Sequence, residues 1–195
     1  MSINLSETIQ KNLGYPALHK ADPNSQEVKD SSRQPEVDNL SQAAIPAVLT
    51  ALYRYVQADE GAADFLRGDN STNWAERIFG WDKNKAVHKI AGYADQSASV
   101  VEATINDIAN EAVKVVKANI PATAGINEVK LFFTDQRNII LTYLPAALNM
   151  GDLLHDAELD DKTNKMEGPI STLMHNIGSA FSKPVTEEEM KKNDH

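Results

Sequence analysis

Along most of this chain apolar residues recur every three or four positions, the spacing that lines one face of an α-helix. Leu5, Ile9 and Leu13 step by four and predict a first helix over residues 2–13, stopped by Gly14. The periodicity then disappears. Residues 15–39 are polar and carry Pro16, Pro23 and Pro35, so they read as an extended arm. A connection of that length is expected to wrap the body of the protein or reach a neighbour.

Helical spacing resumes near Leu40. Ile45, Val48, Leu49, Leu52, Tyr53 and Val56 share one face of a helix ending near Ala58. Asp59 is placed to cap a short helix through Phe65 and Leu66, closed by Gly68. Asn73 caps the next helix, residues 74–79, with Gly80 after it. Asp82 caps a third, in which Val87, Ile90, Ala91 and Ala94 face inward. The clearest helix covers residues 99–119. Ser99 and Glu102 have capping-box spacing, and Val101, Ile105, Ile108, Ala112 and Val115 form its apolar stripe. Pro121 ends it. A long helix is expected over residues 127–154, its buried side traced by Val129, Phe132, Phe133, Gln136, Ile140, Tyr143 and Leu148. Pro145 lies inside that span and predicts a kink, because it removes one hydrogen bond and clashes with the preceding turn.

Residues 156–167 are an acidic loop. Gly168 and Pro169 open a last amphipathic helix over 170–181, and 182–195 form a solvated tail. No alternating run bounded by turn residues marks a strand. The expected fold is all-α, a helical bundle with an extended N-terminal arm and a C-terminal amphipathic helix. Its parts are residues 1–39 (N-terminal helix and polar arm), 40–155 (helical core) and 156–195 (acidic loop, amphipathic helix and tail). One short echo appears: Ile45-Pro46-Ala47-Val48-Leu49 and Leu144-Pro145-Ala146-Ala147-Leu148 share a pattern, which marks a duplicated unit only if their helices superpose.

The stretch AIPAVLTALYRYVQADEGAADFL (44–66) is followed by a short aromatic IFG segment (78–80) and two helices rich in Ala and Val. Through these residues, positions 44–120 resemble the YidB-like bacterial proteins of unknown function, over about two-fifths of the chain. The resemblance implies a helical bundle and carries over no catalytic residue.

Composition narrows the chemistry. The 195 residues contain no cysteine, which excludes thiolate zinc sites, disulfides and thiol catalysis and fits a reducing compartment. The first residues lack a basic region followed by an apolar one, so no ordinary secretory signal is read. The uncharged run 138–151 is too short for the roughly 20 apolar residues of a membrane span. A cytoplasmic location is expected. The net charge of −9 is concentrated at the C-terminus, where residues 152–195 hold ten acidic side chains against five lysines. Such a surface repels phosphate backbones, and nucleic-acid binding is not expected.

The sharpest candidate for a ligand site is the acidic loop. Asp156, Glu158, Asp160, Asn164 and Glu167 occupy positions 1, 3, 5, 9 and 12 of a calcium-loop spacing, with the Lys162 carbonyl at 7. Asp161 stands where glycine makes the sharp turn, and Gly168-Pro169 interrupts the exiting helix, so a solvated acidic loop is the competing reading. Asp152, His155 and Asp156 have the spacing of one helix face and could serve a metal if other helices added ligands. His88 lies between Lys85 and Lys89 on a polar face and reads as solvated. Trp74, Phe79, Trp81 and Tyr93 are either an aromatic ligand cage or, more ordinarily, core. No serine-nucleophile elbow and no glycine-rich phosphate loop is present.

Ile170, Leu173, Met174, Ile177 and Phe181 form one apolar stripe on the C-terminal helix. Its polar side carries no lysine or arginine before Lys183, unlike a membrane-surface helix, so it is expected to dock on protein. The functional expectation is a non-enzymatic interaction or scaffold protein with a protein partner or self-association and no resident cofactor. The alternatives are a module binding calcium or a small ligand, and behind it a metal-dependent hydrolase.

Overall fold

The computed structural model describes residues 3–21, 38–69 and 71–155. They form an all-helical bundle: α1 (Leu5–Asn12), α2 (Asn39–Gln57), α3 (Asp59–Arg67), α4 (Trp74–Phe79), α5 (Lys83–Ala94), α6 (Ala98–Asn119), α7 (Ile126–Tyr143) and α8 (Met150–Leu154). Tight 3-10 turns occupy Gly80–Asp82 and Ala146–Leu148. No strand occurs among the described residues, as the sequence pattern predicts.

The bundle is organised around α2, which packs against all seven other α-helices. Every residue from Ser41 to Leu52 is buried, not only the expected face. A helix that is apolar all round belongs in a core, and Ala43, Ala44, Ala47 and Ala51 let neighbouring helices approach from every side. Only the last turns are two-sided: Tyr53 is half-buried and Arg54 exposed. Pro46 sits inside α2, where it removes the ladder bond to the Gln42 carbonyl. Its own carbonyl accepts from the Thr50 hydroxyl at 2.7 Å.

The expected long helix over 127–154 is corrected. Pro145 breaks it instead of kinking it. α7 ends at Tyr143, and Leu144 is extended (ψ 118°), the conformation a residue before proline prefers. A 3-10 turn follows, and Asn149 takes a left-handed conformation (φ 43°) before α8 starts. The pentad echo falls with it, since one pentad lies within α2 and the other forms this break. Further adjustments concern caps: Asp59 is the first residue of α3 rather than its cap, and Asp82 stands at the cap position of α5 without a capping hydrogen bond. Ser97, rather than Ser99, accepts from the Val100 N–H to start α6, while Glu102 reaches Lys83 instead. Asn4 caps α1 through the Glu7 N–H.

The described part of the N-terminal arm packs on the bundle. Leu5 and Ile9 are wholly buried, and Tyr15 and Leu18 lie against the core. Two buried glutamine amides fasten this segment. Gln136 accepts from the Leu5 N–H at 3.0 Å and donates to the Ile3 carbonyl at 2.9 Å. Gln42 accepts from the His19 N–H at 2.8 Å and donates to the carbonyls of His19 and Tyr143 at 2.9 Å each. Further on, the Ala21 N–H donates to the Thr142 carbonyl.

Candidate functional site

The aromatic residues separate into core and surface. Trp74, at the start of α4, is buried with Phe65 at 5.7 Å between ring centroids, and Phe65 meets Phe133 edge-on at 6.0 Å. The Lys117 ammonium lies over both Phe65 and Trp74 and donates to the Leu66 and Gly68 carbonyls, which closes the end of α3. Phe79 is buried as well and Tyr93 half-buried. The four aromatics expected either as a cage or as core therefore form no cage. Two are core, and Trp81 is 100% exposed.

Backbone geometry sets Trp81 apart. In an uninterrupted helix it would sit two turns from Trp74 on the same face. Gly80 instead adopts φ 53° and ψ −127°, a region open to glycine and strained for other residues, and turns the chain out after Phe79. Trp81 then occupies the middle of a 3-10 turn, and none of the described residues buries it.

Opposite charges pair around this turn. The Lys83 ammonium sits 2.6 Å from Glu102 and 3.0 Å from Glu76, and the Glu102 hydrogen bond holds its pKa above the usual lysine value. Lys85 meets Asp82 at 2.9 Å, which holds the Asp82 carboxyl below its ordinary value. Lys89 donates to the Leu148 and Asn149 carbonyls and lies 3.8 Å from Asp152. Each of these lysines faces a carboxylate.

A second feature lies where α2 turns into α3. An open cleft of about 450 Å³ is lined by Tyr55, Glu60, Gly61, Asp64, Arg67 and Arg77 among others. The Tyr55 hydroxyl donates to Asp64 Oδ2 at 2.5 Å, and the Arg77 guanidinium donates to the same oxygen. Arg67 is 3.9 Å from Oδ1. The hydrogen bonds from Arg77 and then Tyr55 hold the Asp64 carboxyl below its ordinary value, whereas burial raises that of the Tyr55 phenol. A depressed folded-state pKa stabilises the fold above the ordinary carboxylate range, and that stabilisation is lost as pH falls through the folded value. Urea midpoints of the wild type and of Asp64→Asn should therefore differ at neutral pH and converge in acid. A gap that stays constant down to strongly acid pH would show that Asp64 does not act through its charge.

This Tyr–Asp–Arg group was not legible in the sequence. Tyr55, Asp64 and Arg77 come from α2, α3 and α4, and no spacing motif links them.

The metal-ligand spacing at the end of the core is corrected. α8 stops at Leu154, and His155 leaves it in a left-handed conformation (φ 55°), so Asp152 and His155 do not share a continuing helix face. His155 Nε2 lies 3.6 Å from Asp82, while Asp152 faces Lys89. His88 is exposed on α5, as its surroundings predict. Among the described residues no group of three or more His, Asp or Glu side chains could hold a metal ion, and no helix is long and apolar enough to cross a membrane. The calcium-spaced residues Asp156, Glu158, Asp160, Asn164 and Glu167 lie outside the described residues. So does the stripe Ile170, Leu173, Met174, Ile177 and Phe181. No protein-family model, curated protein or solved structure matches this chain.

Proposed function

We propose that this chain is a cytoplasmic, non-enzymatic helical interaction protein that engages a protein partner or a second copy of itself through the Gly80–Asp82 turn. The complete exposure of Trp81 carries the reading. A tryptophan contributes little to folding when nothing packs on it, yet it is among the residues that most often dominate a protein interface. Here a glycine with positive φ holds it out, and the surrounding ion pairs form the polar rim typical of such anchors. The apolar stripe from Ile170 to Phe181 is proposed as a second attachment element on the same partner-binding reading.

Trp81→Ser tests this. Removing an anchor of this kind should weaken self-association in sedimentation equilibrium, or recovery of a co-purifying protein, by about thirtyfold. The melting temperature should stay within about 2 °C, because no packing is lost. Equal association and equal recovery for the wild type and the variant would remove the reading.

A further inference from the structure

We infer that the cleft between α2 and α3 is a binding site for a short peptide with both termini free. The inference is independent of the role proposed for Trp81 and rests on the pattern of charges along α3. Glu60, Asp64 and Arg67 follow one another at i, i+4 and i+7, and all three line the cleft. The acidic end and the basic end are therefore two helical turns apart, about 10 Å along the axis. Glu60 has no ion-pair partner among the described residues, and Arg67 has only the long contact to Asp64. One unmatched anion and one nearly unmatched cation thus stand at opposite ends of a single depression.

The middle of the cleft fits the same ligand. Asp64 Oδ2 already accepts from Tyr55 and Arg77, but among the described residues Oδ1 has only the Arg67 nitrogen at 3.9 Å, too long for a hydrogen bond. A carboxylate oxygen with free lone pairs at mid-cleft can accept from a peptide N–H. Gly61 lies in the wall of the cleft with its Cα face closed by the Tyr55 carbonyl, so the ligand runs along the open side marked by Glu60, Asp64 and Arg67. An extended chain covers about 3.3 Å per residue, so two or three residues match the distance between Glu60 and Arg67. The ammonium would face Glu60, the carboxylate would face Arg67, and the formal charges of Glu60, Asp64, Arg67 and Arg77 sum to zero. A dianion such as phosphate would meet Glu60 and Asp64 unfavourably, and a free amino acid is too short to reach both ends.

Triglycine is the probe, compared with N-acetyl-triglycine and triglycine amide, each of which lacks one terminal charge. Titrations of the full chain followed by amide NMR should show saturable shifts at Glu60, Gly61 and Arg67 with triglycine, and about tenfold weaker binding for either blocked form. Glu60→Gln should abolish the preference for a free amino terminus only, and Arg67→Gln the preference for a free carboxylate only. Both positions are surface-exposed or nearly so, and neither variant should alter the fold. Absence of saturable shifts would overturn the inference. So would equal binding of all three probes, or variants that leave both preferences intact.

Discussion

Gly61→Ala is expected to destabilise this protein by about 3 kcal/mol and lower its melting temperature by about 6–12 °C. Gly61 lies in the first turns of α3, where alanine is normally the better helix former by about 1 kcal/mol. Propensity is overruled by a close approach. A Cβ at this position would lie 1.9 Å from the Tyr55 carbonyl oxygen and 2.9 Å from its carbon, both backbone atoms near the end of α2. A flexible side chain could swing aside, but the Tyr55 carbonyl is held in the last turns of a helix. Relief therefore requires moving α3 away from α2, which strains the burial of Ala62 and Phe65. Gly92 supplies the contrast: it is an exposed glycine in the last turn of α5 with nothing within 4 Å of an added Cβ. Gly92→Ala should stabilise by about 0.5–1 kcal/mol. Thermal unfolding by circular dichroism reads both signs. A Gly61→Ala protein as stable as the wild type would show that the α2–α3 corner yields more easily than its geometry implies.

The same corner shows which features periodicity reveals. Hydrophobic spacing locates the helices well, because each has a dry side: Val101, Ile105, Ile108, Ala112 and Val115 of α6 are all buried as their steps predict. It fails for α2, where a stripe was expected and the whole circumference from Ser41 to Leu52 is buried. A central helix is recognised by its small residues, not by its period, and Ala43, Ala44, Ala47 and Ala51 were that signal. Spacing also misleads at Trp74 and Trp81, which a regular helix would place together. Gly80 separates them, and a backbone angle leaves no trace in a pattern of apolar residues. Pro145 was visible, but Asn149, whose left-handed conformation completes the break, looks like any polar residue in sequence. The Tyr55–Asp64–Arg77 cluster depends on three helices meeting at one corner, and no local rule reports that.

Buried glutamine is the hardest case to read from sequence, and Gln136→Met should produce the second large effect. Gln136 was expected on the buried side of α7 merely as one of its inward residues, while Gln42 gave no sign at all. In the structure both use the two-sided amide to imitate a neighbouring peptide group. Methionine at position 136 preserves approximate size but offers neither a strong acceptor nor a donor. The Leu5 N–H and the Ile3 carbonyl would lose these partners, at about 1–3 kcal/mol each where water cannot replace them. The expected loss is about 2–4 kcal/mol. Its location distinguishes two architectures. If α1 is an integral part of the core, as the complete burial of Leu5 and Ile9 implies, the whole protein should melt earlier, by about 4–16 °C, in one transition. If α1 is a separable strap, the melting temperature should hold while hydrogen exchange accelerates at the Leu5 and Ile9 amides alone. Gln42→Met provides the comparison, since it releases His19 and the Tyr143 carbonyl but leaves α1's own clamp in place. Each glutamine makes one buried bond, but the Gln136 variant should lose more stability than the Gln42 variant, because Gln136 holds the wholly buried Leu5 and Ile9 of α1 in place whereas Gln42 fastens the partly buried His19, where water can take over. The reverse order would mean that the arm, rather than α1, is the part of the N-terminal segment on which the core depends.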